Sequence, residues 1–138
     1  MSVESLLDTN VVIYIVDTDN PEKTAKAEQL VRSGTDYGDC CISRQVIQET
    51  LNVATKKFSY SPEEAGHLLE RTLLPLYQET SAPSLYRRGL DIQFRYNYGF
   101  YDSVIIAAAL ELGCKTLYSE DMQHGQKIER LTIENPFR

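Results

Sequence analysis

The apolar positions of this chain form short continuous runs that are separated by longer stretches of mixed character. Leu6-Leu7 ends the first run, and similar runs at residues 40–42 and 114–119 predict short buried strands. Residues 131–134 are a further candidate strand before Asn135-Pro136. The run at residues 11–16 is predicted as a buried helix, although periodicity alone does not exclude a strand there.

Helix boundaries are marked by capping residues and by Gly and Pro. Asn20-Pro21 predicts the start of one helix and Gly34 its end, and Ser43 predicts a helix that runs to about Lys57. Further signals are a capping box at residues 61–64, Pro83 opening a helix that fades near residues 97–99, and an apolar helix at 102–112 ended by Gly113. Residues 74–79 are predicted as an edge strand because Pro75 cannot pair within a sheet.

Strands and helices therefore alternate along most of the chain. This order predicts an α/β sandwich around a mostly parallel sheet, in which ligands bind beyond the carboxyl ends of the strands. No repeat, low-complexity tract or Gly/Ser-rich linker interrupts the pattern. With 138 residues, the chain is predicted to be a single domain over residues 1–138.

Charge and cysteine content limit the classes of function. Fourteen basic and twenty acidic residues give a net charge of −6, which excludes a protein that coats nucleic acid by positive charge alone but allows binding through bound cations. Cys40, Cys41 and Cys114 form no CxxC pair and are expected to be reduced core residues. The N-terminus lacks the basic residues of a signal peptide, so we expect a soluble, cytoplasmic protein.

Two acidic residues follow predicted strands. Asp8 comes directly after the first strand, and Asp121, with Glu120 beside it, comes just after the strand at residues 114–119. If both strands belong to one parallel sheet, these carboxylates share an edge. Asp8 as a helix cap and Asp121 as part of a polar turn are the alternative interpretations.

Two more acids lie on predicted helices. Asp102 begins a very apolar helix and, at about 100° per residue, points toward its buried side, whereas Glu49 borders the apolar stripe of its helix. A first-turn acid and a surface acid are the respective alternatives. Four acids at such positions predict a site for Mg²⁺ or Mn²⁺, because clustered carboxylates without a cation repel one another. Such a site suits phosphoryl chemistry.

Four segments, in order, resemble the PIN domain family: Leu6-Leu7-Asp8-Thr9-Asn10-Val11, the helix that carries Glu49, Tyr101-Asp102-Ser103-Val104-Ile105-Ile106-Ala107-Ala108-Ala109, and Leu117-Tyr118-Ser119-Glu120-Asp121-Met122. Residues 101–126 and the ending Ile133-Glu134-Asn135-Pro136-Phe137 look most like the VapC toxins of toxin–antitoxin pairs. Each motif alone is weak, but the ordered set is specific.

The resemblance implies a Rossmann-like α/β/α fold and a Mg²⁺- or Mn²⁺-dependent endoribonuclease. It assigns catalytic and metal-binding roles to Asp8, Glu49, Asp102 and Asp121, with Asp8 and Asp102 as the firmest ligands. Thr9, Asn10 and Ser119 resemble the polar residues that orient such a site, and Glu120 could replace Asp121 as the inward acid. The family also implies an RNA substrate, a homodimer and a VapB-type antitoxin as partner.

Two other functions are open from the residues. A phosphatase or phosphotransferase would use Asp8 as a covalent nucleophile, but the related enzymes would want an acid at position 10, which is Asn10 here. A non-catalytic binding module on a nuclease-like fold is the second alternative. The aromatic run of Tyr96, Tyr98, Phe100 and Tyr101 before Asp102 is expected to pack around the adjacent turn, with base stacking as its other use.

Overall fold

The computed structural model describes residues 3–138 and has a five-stranded sheet flanked by helices. The strands are β1 (Ser5–Leu7), β2 (Cys40–Cys41), β3 (Thr116–Tyr118), β4 (Lys127–Ile128) and β5 (Leu131–Glu134). Their spatial order is β2-β1-β3-β5-β4; the first four are parallel, and β4 is antiparallel to β5. The predicted α/β architecture with a mostly parallel sheet is confirmed.

Seven α-helices are described: α1 (Thr9–Val12), α2 (Pro21–Tyr37), α3 (Arg44–Lys56), α4 (Pro62–Leu68), α5 (Leu74–Leu76), α6 (Ala82–Tyr96) and α7 (Phe100–Glu111). A 3₁₀ turn (Ile13–Ile15) extends α1, and a π-helical turn (Leu69–Leu73) joins α4 to α5. The predicted helices at residues 11–16, 43–57 and 61 onward, including the capping box at Ser61, are confirmed. None of the helices within residues 3–138 has both the length and the apolar character of a membrane span.

Helix α7 lies in the core of the molecule. Residues 103–110 are all buried, as expected for a helix that is apolar on every side. Its packing against α6 is close, because a Cβ atom added to Gly89 would lie 3.2 Å from Cγ2 of Val104. The helix begins at Phe100, two residues earlier than predicted, so Asp102 lies in its first turn.

Two sequence predictions are corrected by the structure, and one strand was missed. Helix α2 does not end at Gly34 but continues to Tyr37 and is capped by Gly38, whose φ is +71°. Residues 74–76 are helical instead of extended, and only Tyr77 pairs with the sheet, by a parallel bridge to Ile42. Strand β4 was not predicted, because two residues are too few to show a period.

Gly34 is required by close packing and not by a turn. A Cβ atom there would lie 2.6 Å from Cδ2 of Leu76 and 2.7 Å from the carbonyl oxygen of Cys40. Glycine therefore allows α2 to approach β2 and α5 at a distance that no larger residue permits.

We expect Gly34→Ala to lower the free energy of unfolding by about 2 kcal/mol, because the added methyl group forces a backbone oxygen to move. Gly66→Ala is the matched control, since this helical glycine has open space around its Cβ position. It should leave stability unchanged or raise it by up to about 1 kcal/mol. Urea unfolding of both variants measures the difference, and equal effects would contradict the packing argument.

Candidate active site

Asp8 ends β1 and caps α1. Its side chain is only 4% exposed, and its Oδ1 atom accepts a hydrogen bond of 2.7 Å from the backbone N–H of Thr9. Its Oδ2 atom accepts hydrogen bonds from Oγ of Ser119, at 2.9 Å, and from Nδ2 of Asn10, at 3.3 Å. Asp8 is therefore both the N-terminal cap of α1 and a buried carboxylate, and hydrogen bonds hold both of its oxygens in fixed positions.

The neighbouring strand β3 brings Ser119 to this position. The register pairs Leu7 with Tyr118, and the backbone N–H of Asp8 donates to the carbonyl oxygen of Tyr118 at 2.9 Å. Asn10 then links the two strand ends, since Nδ2 donates to Oγ of Ser119 at 3.2 Å and Oδ1 accepts from the N–H of Glu120 at 2.9 Å. The expected meeting of the first strand end with residues 119–121 is therefore present in the structure.

Glu49 reaches the same edge of the sheet from α3. Oγ1 of Thr9 donates a hydrogen bond of 2.8 Å to Oε1 of Glu49, so Thr9 connects two acids: its backbone binds Asp8 and its hydroxyl binds Glu49. Gln45 lies one turn earlier on α3, and its Nε2 atom donates to the carbonyl oxygen of Tyr101 at 3.2 Å. This contact joins α3 to the start of α7, where Asp102 follows.

Asp102 and Asp121 form the open side of the cluster. The side chain of Asp102 is exposed, not turned inward as predicted, because it lies in the first turn of α7 before the buried stretch begins. The pKa of Asp102 is raised above its usual value, because its carboxyl group is partly withdrawn from water and because Asp121 and Glu49 are negatively charged. Asp121 is also exposed.

The pKa of Asp8 shows that the acids act on one another. Burial raises this pKa from 3.8 to about 7, against the opposing effect of the hydrogen bonds from Ser119 and Thr9, and the charges of Asp102 and Glu49 raise it further. All four acids are linked in this way, by the pairs Asp8–Asp102, Asp8–Glu49, Asp102–Glu49 and Asp102–Asp121. The structure therefore places Asp8, Glu49 and Asp102 near one another and adds Asp121 through Asp102; we refer to these four residues as the acid cluster.

Glu120 faces another group of residues. Its carboxylate accepts hydrogen bonds from the hydroxyl of Tyr14 and from the ammonium of Lys23, which also lies 5.2 Å from the centroid of the Tyr14 ring. Phe137 packs edge-on against the same ring. The negative charge of Glu120 is thus balanced by Lys23, whereas the charge of Asp121 acts on Asp102.

The donor set fits a hard divalent cation. None of the ion pairs found within residues 3–138 involves Asp8, Glu49, Asp102 or Asp121, so the cluster has several carboxylates and no basic partner among those pairs. Over the same residues, no group of three or more His, Cys, Asp or Glu side chains is placed so that it could hold a metal ion by itself. The carboxylate oxygens themselves suit Mg²⁺, which keeps several waters and needs only one or two carboxylates together with substrate phosphates.

Sequence reasoning did not predict the contacts that hold these acids in place. The hydrogen bond from Thr9 to Glu49 and the contacts of Gln45 join residues that are 40 and 56 positions apart. The pairing of Lys23 with Glu120 spans 97 positions. Single residues of these types carry no sequence signal, because exposed Lys, Gln and Glu are ordinary surface residues.

The burial of Asp8 predicts a pH dependence of stability. Since the folded-state pKa is raised, the unfolded chain releases this proton first, and stability falls as pH rises from about 4 to about 7 and then levels off. A shift from 3.8 to about 7 corresponds to roughly 4 kcal/mol. In metal-free buffer, Asp8→Asn should flatten this fall and raise stability at pH 8, because no charged group is then buried at this position. The gain should be only about 1–3 kcal/mol, because the new amide would place its N–H donors opposite Nδ2 of Asn10.

Urea unfolding between pH 5 and pH 8 measures this effect. Asp91→Asn is the control, because Asp91 is a surface acid paired with Arg95 on α6 and should leave the pH profile unchanged. A loss of stability at pH 8 in Asp8→Asn would contradict the view that burial of the charged Asp8 carboxylate lowers the free energy of unfolding.

Solved structures with similar folds include a VapC toxin, a toxin–antitoxin complex and a DNA-bound VapBC complex. The VapC20 toxin of Mycobacterium tuberculosis, described as cleaving the sarcin–ricin loop, has a TM-score of 0.65 and 16% identity, with 86% of this chain and 90% of that chain covered. A toxin–antitoxin complex from Klebsiella pneumoniae has a TM-score of 0.67 and 17% identity (96% and 98% covered). DNA-bound VapBC from Salmonella typhimurium has a TM-score of 0.69 and 21% identity (97% and 98% covered).

These likenesses concern the fold, since every identity is low. A comparison with curated protein sequences finds no match to this chain. The sequence profile described as PIN domain, however, matches residues 5–127, which include all four clustered acids. The match covers most of the chain, and the predicted resemblance to this family is thereby confirmed: the chain belongs to the PIN domain family.

Proposed function

We propose that this chain is a Mg²⁺- or Mn²⁺-dependent endoribonuclease that cleaves RNA phosphodiester bonds. The observation that carries the proposal is the acid cluster, in which a buried Asp8 shares its surroundings with Glu49, Asp102 and Asp121 at the carboxyl edge of the sheet. Carboxylates with no basic partner among the described ion pairs favour a divalent cation, and the net charge of −6 makes a bound cation the reasonable means of holding a polyanion.

Asp8 and Asp102 would be the main residues that hold the metal, with Glu49 and Asp121 completing the site directly or through water. When bound, such a metal polarises the phosphate and lowers the pKa of a bound water. Ser119, Asn10 and the N–H of Thr9 orient Asp8, and the hydroxyl of Thr9 orients Glu49. Asp102 and Asp121 are exposed, so the RNA strand would approach from their side.

The proposal extends to a role as the toxin of a VapBC-type pair. It is supported by the similar folds of a VapC toxin and of two toxin–antitoxin complexes, over nearly the full length of this chain. On this view the partners are RNA, a VapB-type antitoxin and a second copy of the chain, and the site of action is the cytoplasm. Growth arrest on expression of the chain alone, without an antitoxin, is the expected cellular result.

The geometry gives less support to covalent catalysis by Asp8. Asn10 occupies the position where an acid would be wanted and instead binds Ser119 and the backbone of Glu120. A trapped aspartyl-phosphate on Asp8 would reverse this conclusion.

Asp8→Asn should lower Mn²⁺-stimulated cleavage of total RNA by about 100-fold or more, because it removes a metal-binding charge while keeping the helix cap. Gel analysis and mapping of the cut ends measure this effect, with Asp91→Asn as the control for loss of a distant acid. An unchanged cleavage rate in Asp8→Asn would refute the assignment, and so would cleavage by the wild-type chain that persists in excess chelator.

Asp121→Asn and Glu120→Gln test which neighbouring acid serves the site. We expect about tenfold less cleavage for Asp121→Asn and a change within about threefold for Glu120→Gln, since Lys23 already neutralises Glu120. Rates at saturating Mn²⁺ distinguish the two variants. The reverse order of effects would show that Glu120 is the acid that serves catalysis.

A further inference from the structure

A cavity of about 240 Å³ lies between the start of α3, the start of α6 and the first turns of α7. It adjoins the acid cluster, because Gln45 on its wall donates to the carbonyl oxygen of Tyr101 at 3.2 Å and, at a longer 3.5 Å, to Oε1 of Glu49. We propose that this cavity binds one unpaired nucleobase of the RNA strand, next to the phosphodiester that the acids would hold. This inference rests on the proposed function and adds a base-binding subsite to it.

The walls of the cavity present aromatic rings to solvent. Tyr101 is 69% exposed, Tyr86 is 51% exposed and Phe100 is 37% exposed, which is unusual for large side chains without a partner. The rings of Phe100 and Tyr101 pack edge to face, with centroids 5.5 Å apart, and so hold each other in place. Exposed rings on a single-strand path are surfaces on which bases stack.

One buried polar group on the same walls, the hydroxyl of Ser43, lacks a partner. Ser43 is 4% exposed, and its hydroxyl makes no hydrogen bond, although Ser43 precedes α3 at the position where a serine usually caps the helix. A buried hydroxyl without a partner costs free energy that a bound polar ligand would recover. The amides of Gln45 and Gln48 add donors and acceptors of the kind that match the edge of a base.

The charge of the lining is suited to a strand of nucleic acid. Among residues 3–138, no carboxylate lines the cavity, and Arg44 is the one charged residue on its walls. Arg44 pairs with Glu79 at 3.1 Å, but both side chains are largely exposed, so this pair is weak and the guanidinium is free to turn toward a phosphate. The volume is below the roughly 300–1,000 Å³ of drug-sized sites, which favours a single ring system over a longer ligand.

Binding measurements with abasic RNA test this subsite. Fluorescence anisotropy measures the affinity of the protein for an unstructured RNA of about ten nucleotides in which one base at a time is removed. Ca²⁺ replaces Mg²⁺ or Mn²⁺ in the buffer, so that the RNA is bound without being cleaved. The proteins are the wild type, Tyr86→Ala, Gln48→Ala and Phe94→Ala. Phe94 is the matched control, because it is an 86% exposed ring on the same helix but does not line the cavity.

We expect Tyr86→Ala to weaken binding of the intact RNA roughly tenfold, as for the loss of one stacked base. For the wild type, removal of the base at one position of the RNA should weaken binding to the same extent. For Tyr86→Ala, removal of that same base should cause no further loss of affinity. Gln48→Ala should show the same non-additivity with that position, and Phe94→Ala should bind as the wild type does. Additive effects at every position would overturn the proposal.

Sedimentation of the same variants tests for a second copy of this chain in the cavity. Tyr86 and Phe94 lie on one exposed stripe of α6, two turns apart, so an interface between copies would be weakened by both substitutions. Dissociation by both variants, with RNA binding unchanged, would overturn the subsite. The subsite and the proposed function can also fail separately. If the variants and abasic RNAs show the expected non-additive losses but the wild-type chain cleaves no RNA in Mn²⁺, the proposed function is refuted and the base-binding subsite is retained.

Discussion

The placement of the Asp8 carboxylate at the end of a buried strand is the constraint on which the site depends. Burial of a charge is unfavourable, and here it raises the pKa of Asp8 to about 7 in spite of three hydrogen bonds to its oxygens. The same bonds leave the carboxylate little freedom to move away from the neighbouring acids. A nearby cation would favour the charged form of Asp8. Without a cation, the buried charge lowers the free energy of unfolding of the protein.

The order of the strands determines which acids can meet. Since β1 lies between β2 and β3, its carboxyl end faces both the start of α3, which follows β2, and residues 119–121, which follow β3. Glu49, through Thr9, and Ser119 thus reach Asp8 from opposite sides of the same strand, and Asp121 follows Ser119 by two residues. Asp102 arrives by a different route, because α7 is buried along nearly all of its length and its first turn is fixed at the edge of the core.

Much of this arrangement follows from local sequence features. Asp8 and Asp121 are found by the rule that ligands lie beyond the ends of parallel strands, and Glu49 by its position at the border of an apolar stripe. Gly34 was misinterpreted because a glycine signals a turn and a close approach equally well, and only the position of Leu76 distinguishes them. The choice between Glu120 and Asp121 depends on Lys23, nearly a hundred residues away, which no local pattern shows.

The cluster has a rigid half and an open half, and this division suits a cation that retains water. Asp8 and Glu49 are fixed by hydrogen bonds from Thr9, whereas the exposed Asp102 and Asp121 stand where solvent and substrate arrive. An octahedral Mg²⁺ takes six oxygen ligands, and an open side leaves room for waters and for a phosphate oxygen among them. No group of three or more His, Cys, Asp or Glu side chains within residues 3–138 is placed to hold a metal on its own, so a cation bound here would need water or a substrate oxygen to complete its coordination.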